Sequence, residues 1–351
     1  MTRFFSGKYS ALEPYTPGEQ PKDMKYIKLN TNESPYQPPK SVIDAADESA
    51  KNLQLYSDPD CKKLSDEFCK VFGVNADQVL FTNGSDEALN FAFMAFCDGE
   101  NKAAFPDITY GFYPVFAQLN FIDFEEIPLK EDFSVCADDY VGINKTIFIA
   151  NPNAPTGLTL SLEEIEKILA SNPNNVVVID EAYVDFGGKS ATKLIDKYDN
   201  LLVIGTFSKS RSLAGARLGY AVSNKDIIAD LNTVKYSTNP YNVNSVTIAA
   251  GAQALKENEY FMDNCRKIQT TRAWTKARLE ELGFYVLNSR ANFLFAKSDR
   301  IGGEELYLEL KSKGILVRHF SKERIKDFVR ITIGTPEQME SFIGATEKII
   351  K

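Results

Sequence analysis

The sequence contains one histidine, His319, in 351 residues. That excludes multi-histidine metal sites and leaves a single candidate for any histidine-based triad. The five cysteines (Cys61, Cys69, Cys97, Cys136, Cys265) form no CxxC pair. Their odd number and irregular spacing fit reduced thiols, with no metal site and no disulfide framework. No apolar run approaches the length of a membrane span, and the start Met1-Thr2-Arg3-Phe4-Phe5-Ser6 lacks the apolar core of a secretory signal. A net charge of −8 and a pI near 5.1 argue against nucleic acid or an acidic membrane surface as the main partner. There is no internal repeat or low-complexity tract. The expectation is a cytoplasmic protein handling small molecules.

What is present is ample core material: 44% of the residues are hydrophobic, enough at this length for two domains. Residues 1–40 are rich in Pro, Asn and Tyr and read as an extended arm, in which 26–29 can pair as an edge strand. The first 28 residues precede a large domain at 29–240 and a smaller one at 241–351. Residues 41–72 read as helical with a break near 57–60. From residue 79 strands alternate with helices: strands at 79–82, 103–105, 124–129, 146–150, 176–179, 201–206 and 218–222, helices at 85–97, 110–120, 161–171 and 224–235. Continuous β-branched strands in such alternation imply a mainly parallel seven-stranded sheet covered on both faces, an α/β fold. After Asn244 a long kinked helix is expected over 245–282. Short strands at 284–287, 293–296, 315–318 and 328–333 follow, with helices at 303–313 and 336–350. That pattern reads as a smaller α+β unit with an antiparallel sheet.

The most informative run is Thr206-Phe207-Ser208-Lys209, at the end of the apolar strand 201–206 and followed by Gly215 and Arg217. Two hydroxyls, an amine and a guanidinium within twelve residues suit a pyridoxal 5'-phosphate enzyme: the amine forms a Schiff base, and the other groups hold the phosphate. With no histidine base at hand, that lysine is also the proton carrier. Thr82-Asn83-Gly84-Ser85-Asp86-Glu87 lies at a strand-to-helix junction, where free helix amides bind a phosphate or Ser85 simply caps the helix. Asn151-Pro152-Asn153-Ala154-Pro155-Thr156-Gly157 is a rigid loop at a strand's carboxyl end. Asp180, ending the apolar run 176–179, either holds a pyridinium nitrogen or caps the turn, and Tyr183 follows it. Tyr110 is an aromatic placed to stack on a planar ligand or to fill the core. Arg318 and Arg330 are presented by apolar strands, suited to an anionic substrate or to surface ion pairs.

In this order the motifs resemble fold-type I pyridoxal-phosphate aminotransferases and, more narrowly, the histidinol-phosphate aminotransferase family. The resemblance runs from Leu12-Glu13-Pro14-Tyr15 through Leu29-Asn30-Thr31-Asn32-Glu33-Ser34-Pro35-Tyr36 and Ser208-Lys209 to Arg330-Ile331-Thr332-Ile333-Gly334-Thr335. It implies that Lys209 carries the Schiff base, that Asp180 pairs with the pyridine nitrogen and Tyr183 with the phenolic oxygen, and that Tyr110 stacks on the ring. The phosphate would meet the turn at Gly84, the amides of Ser85 and Asp86, the hydroxyls of Thr206 and Ser208, and Arg217. Tyr56 would reach the site from a second subunit, making an obligate homodimer with active sites at the subunit interface. Tyr15, Arg318 and Arg330 would meet the substrate's anionic end. The sequence departs from the family at Ala154, where an asparagine commonly bonds the phenolic oxygen. Either Asn153 takes that role through a shifted loop or Tyr183 holds the oxygen alone. The reaction implied is transfer of the amino group of L-histidinol phosphate to 2-oxoglutarate. Alternatives on the same fold are an aromatic or other amino acid aminotransferase and a phosphothreonine decarboxylase. A non-catalytic cofactor-binding regulator fits poorly, since the segment before Leu29 is too short for a DNA-binding module.

Overall fold

The structure, a computed structural model, describes residues 2–351. In chain order the elements are β1 (Ile27–Lys28), α1 (Lys40–Ala50), α2 (Lys62–Phe72), β2 (Val79–Thr82), α3 (Ser85–Phe96), β3 (Ala103–Pro106), α4 (Tyr113–Leu119), β4 (Phe124–Ile127), β5 (Thr146–Ala150), α5 (Leu162–Ser171), β6 (Val177–Asp180), β7 (Leu201–Thr206) and β8 (Gly219–Val222). They continue with α6 (Lys225–Thr238), α7 (Ser245–Lys256), α8 (Asn258–Glu281), β9 (Phe284–Val286), β10 (Phe293–Ser298), α9 (Gly303–Ser312), β11 (Ile315–Leu316), β12 (Arg318–His319), β13 (Phe328–Thr332) and α10 (Pro336–Ile350).

The large sheet has seven strands in the order β2-β8-β7-β6-β5-β3-β4. Only β8 runs against its neighbours; the pairs among β7, β6, β5, β3 and β4 are parallel. Side chains alternate across a strand, and here both faces are buried. Ile147, Ile149, Val177, Ile179, Leu201 and Val203 pack on one face, against Val42, Leu64, Phe68, Ile165 and Leu255. Phe148, Val178, Leu202 and Ile204 pack on the other, against Leu89, Phe116, Ile228 and Leu231. The continuous apolar runs of β5 to β7 are the sequence counterpart of that double covering.

A second, antiparallel sheet has the order β12-β13-β10-β9, and β1 pairs in parallel with β11. The edge strand expected at 26–29 therefore joins the C-terminal part of the chain. Leu29 packs in that part's core, and its backbone bonds Leu316 and Thr332. The opening residues of the expected 29–240 unit thus lie against the C-terminal sheet.

Other boundaries differ for physical reasons. The break expected near 57–60 in the helical stretch 41–72 is wider, spanning 51–61, and Cys61 ahead of α2 sits in a left-handed conformation that no helix continues through. The kink expected in 245–282 is a full break at Glu257. α7 packs Ile248, Ala250 and Leu255 onto the large sheet, whereas Cys265, Ile268 and Leu279 of α8 face the C-terminal core. The packing of the large layer thus continues past residue 240. The strand expected at 315–318 splits at Val317, its first half pairing with β1 and its second with β13.

Candidate active site

The carboxyl ends of β5, β6 and β7 lie side by side, with Ala150 opposite Asp180 and Asp180 opposite Ile204. Above them is a cavity of about 330 Å³ whose walls include Ser85, Asp86, Tyr110, Ala154, Asp180, Tyr183, Thr206, Ser208, Lys209 and Arg217. The chain brings these together from six separate strand ends and loops, where open α/β sheets bind ligands.

Lys209 follows β7 by three residues. Its Nζ donates to the Thr31 carbonyl at 3.2 Å and lies 5.8 Å from the Tyr183 ring centre. Beside it, the Thr206 hydroxyl accepts from the Ser208 amide at 3.1 Å and lies 3.0 Å from the Ser208 hydroxyl and 3.2 Å from the Leu218 carbonyl.

At the junction before α3, Ser85 does not cap the helix. The N-cap is Gly84, and no side chain caps the helix. Ser85 begins the helix, so the first amides keep their donors at the positive end of a twelve-residue helix. Gly84 has φ +81, and a Cβ there would stand 2.5 Å from Arg217 Nη2. A Cβ on Gly219 would stand 2.3 Å from the Gly84 carbonyl carbon. Both glycines let the backbone and the guanidinium close around one small space. Arg217 reaches it from a left-handed backbone (φ 56) and pairs with Asp86 at 3.0 Å. The other Asp86 oxygen accepts from the Tyr110 hydroxyl at 2.6 Å.

Asp180 is buried at 5% exposure, and burial pushes its carboxyl up to about 6. The Ala182 amide (3.1 Å) and the Tyr113 hydroxyl (3.1 Å) donate to its two oxygens and oppose that rise. Asp180 thus closes the turn after β6 through the Ala182 amide and also lines the cavity. Tyr113, fully buried, stands edge-on to Tyr110 with ring centres 5.7 Å apart.

A second cavity of about 680 Å³ shares Lys209, Tyr110, Tyr183 and Ala154 with the first and extends to Tyr15, Arg318 and Arg330. The two arginines are directly opposite each other across β12 and β13, so their side chains leave the same face of the sheet. Arg318 donates to the Thr16 and Pro17 carbonyls at 3.2 and 3.3 Å, and Arg330 to the Asn30 carbonyl at 2.9 Å. The Arg330 Nε is buried without an acceptor, and burial lowers that group's pKa. Tyr15 stacks on Phe112 at 4.2 Å.

Asn153 is not in either wall. Its amide donates to the Ile108 carbonyl and the Thr156 hydroxyl, and its oxygen accepts from Thr109, so the loop itself consumes the side chain. Ala154 is the residue exposed to the cavity. Of the two alternatives left by Ala154, these bonds speak for Tyr183 alone, because both amide protons of Asn153 are spent on the loop's own structure. Tyr56 is 84% exposed and stacks on Tyr241 at 4.6 Å, away from both cavities of its own chain. Sequence reasoning missed Tyr113 behind Asp180, and Asn32, whose amide donates to the Tyr183 hydroxyl at 2.9 Å. Asn32 lies in a quoted motif and Tyr113 three residues after Tyr110, but nothing local marks which tyrosine or asparagine turns inward.

A buried carboxylate, an amine and an uncapped helix end around one small cavity define a site for an anionic, aldehyde-bearing cofactor, and residues 24–345 match the aminotransferase class I and II family. The chain belongs to that family. The histidinol-phosphate aminotransferase of Brachyspira hyodysenteriae is 50% identical over 353 residues, covering all of both chains. That of Clostridium acetobutylicum is 46% identical over 351 residues, again covering all of both. Among solved structures, the histidinol-phosphate aminotransferase of Sinorhizobium meliloti in complex with pyridoxal-5'-phosphate has the same fold. Its TM-score is 0.85 at 21% identity, over 93% of this chain and 91% of that one.

Proposed function

We propose that this enzyme transfers the amino group of L-histidinol phosphate to 2-oxoglutarate, giving imidazole-acetol phosphate and L-glutamate in histidine biosynthesis. The observation that carries the reading is the pair Arg318 and Arg330, opposite each other and sharing a cavity with Lys209, in a chain half identical to a full-length relative of that name. Two guanidinium forks beside a reactive amine suit a donor with an amine at one end and a phosphate at the other. The same forks accept the second carboxylate of glutamate.

Pyridoxal 5'-phosphate is the cofactor, and when bound it supplies an aldehyde for amines and a protonated ring that accepts electrons. The residues present fit it. Gly84 and Gly219 let Arg217 and the start of α3 approach closely, and the phosphate would sit among the Ser85 and Asp86 amides, the Thr206 and Ser208 hydroxyls and Arg217. Asp180 supplies the carboxylate for the ring nitrogen; a cation there offsets the burial that raises its pKa. Tyr110 flanks the ring, and Tyr183 donates to the phenolic oxygen. Lys209 Nζ would hold the aldehyde of the bound cofactor and would take the proton from the carbon bearing the donor's amine. Tyr15, Arg318 and Arg330 hold the donor's phosphate.

Tyr56, exposed on its own chain, completes the phosphate site of a second copy, so the working unit is a homodimer. Among the described residues no helix is long and apolar enough to cross a membrane, and all five cysteines are unpaired. Reduced thiols support a cytoplasmic setting.

The test is glutamate formation from histidinol phosphate and 2-oxoglutarate by the purified enzyme. Absence of glutamate sinks the donor assignment. Release of carbon dioxide from phosphothreonine, or faster turnover of aromatic amino acids, would put one of the sister activities in its place.

A further inference from the structure

Asn32 is a buried polar hub that the reaction described above does not use. It is 1% exposed, has a left-handed backbone (φ 59), and precedes Glu33 in the segment that crosses from the C-terminal sheet to the cofactor cavity. Its backbone N–H donates to the Thr332 hydroxyl oxygen at 3.0 Å, and the Thr332 hydroxyl donates back to Asn32 Oδ1 at 2.9 Å. The Asn292 side chain donates to its carbonyl at 3.0 Å. These bonds orient the amide. With Oδ1 committed to Thr332, Nδ2 faces the Tyr183 hydroxyl at 2.9 Å and donates to it. The reverse orientation would leave the proton of the buried Thr332 hydroxyl without an acceptor.

A phenol has one proton and can accept as well as donate. Because the Tyr183 oxygen accepts from Asn32, its own proton is free for another acceptor in the cavity. A phenol that accepts one hydrogen bond is also polarised into a stronger donor. The alternative supplier of such a bond is missing: Ala154 packs beside Tyr183 against Phe293 and carries no polar group, and the neighbouring Asn153 is consumed by its loop.

We propose that Asn32 is a positioning residue for Tyr183: its amide aims the tyrosine's proton at the cofactor's phenolic oxygen and strengthens the bond that Ala154 does not make. This rests on the reading of Tyr183 as the partner of that oxygen. The consequence is electronic. A strong donor at the phenolic oxygen draws away the density that would otherwise hold the proton of the adjacent Lys209–cofactor nitrogen, so that nitrogen gives up its proton at a lower pH. Removing the Asn32 donor raises the midpoint.

The measurement is the pH midpoint of the bound cofactor's visible absorbance change in the purified holoenzyme, together with cofactor affinity. Asn32→Gly keeps the left-handed backbone and deletes the amide; the midpoint is expected to rise by about half a unit to one unit, the size of one hydrogen bond. Asn32→Asp is isosteric and turns the donor into an acceptor that takes the Tyr183 proton for itself. Its midpoint is expected to rise as far as in Tyr183→Phe. Adding Ala154→Asn to Asn32→Gly supplies a new donor beside Tyr183 and brings the midpoint back down, a rescue that a purely structural role of Asn32 would not produce. If Tyr183→Phe raises the midpoint while both Asn32 variants stay at the wild-type value, the inference is wrong and the reading of Tyr183 stands. If Tyr183→Phe itself leaves the midpoint unmoved, that reading has failed and takes the inference with it.

Discussion

Arg217 Nη2 lies 3.0 Å from the Asp86 carboxylate, in the space that a side chain on Gly84 would need. The guanidinium is thus held at the start of α3 by a carboxylate and by the absence of a Cβ. Gly84→Ala would drive a methyl group to 2.5 Å from that nitrogen and displace it. We expect cofactor affinity, read by absorbance titration of the cofactor-free protein, to fall about 10- to 100-fold, the loss of one charged hydrogen bond. An unchanged dissociation constant would remove Arg217 from the phosphate site.

Arg330 is half-buried with its Nε out of reach of solvent, while Arg318 is held by two carbonyls of the N-terminal arm. Arg330→Lys replaces a fork by a point charge. The expected result is a KM for histidinol phosphate raised roughly 10- to 100-fold with a smaller change in kcat. Unphosphorylated histidinol should be nearly indifferent to the change. Equal losses on both donors would show that the arginine does not read the phosphate.

The pH dependence of stability follows from two adjacent carboxyls. Glu181 is fully buried, takes hydrogen bonds from Ser190 and the Ala191 amide, and burial pushes it from 4.5 up to about 8. Asp180 is pushed from 3.8 up to about 6. In both cases the folded state keeps a proton that the unfolded chain has lost. Stability of the cofactor-free protein therefore falls as pH rises, from 3.8 to about 6 for Asp180 and from 4.5 to about 8 for Glu181. Glu181→Gln should flatten the upper part of that fall in denaturant titrations at a series of pH values. An unchanged slope between pH 6 and 8 would refute the assignment.

Tyr56 sits on the surface and Lys209 in the cavity of the same chain. Lys209→Ala should lower turnover by at least ~10⁴-fold, since it removes both the covalent partner and the proton carrier. Tyr56→Phe weakens the phosphate site of the other subunit. Mixed and refolded together, the two variants form heterodimers in which one site has both native residues. Activity in the mixture above that of either parent checks the shared site; no complementation would put Tyr56 outside it.

Much of this was legible from local pattern. The apolar runs at 146–150, 176–179 and 201–206 became β5, β6 and β7, because strands buried on both faces must be apolar throughout. Lys209, Asp180, Ser85 and Arg217 do line one cavity, since the carboxyl ends of β2, β6 and β7 and the amino end of the antiparallel β8 lie on the same edge of the sheet. The role of Asn153 stayed open in the sequence, because a turn-rich loop offers several polar side chains and only packing decides which turn inward. α7 is a similar case: no sign in its own residues tells that its apolar face joins the core on the large sheet.

The order of residues by itself determined the alternation of strands and helices, the amine beside its hydroxyls, and the glycines where backbone must pass closely. These are short-range properties, set by periodicity and by the conformations each residue allows. Tertiary structure alone decided that Arg318 and Arg330 face each other and share a cavity with Lys209, that Tyr113 stands behind Asp180, and that Asn32 meets Tyr183 across 151 positions of sequence. Such meetings depend on strand order and on how the two sheets are set against each other. They are fixed by the burial of whole faces, and no single motif records them.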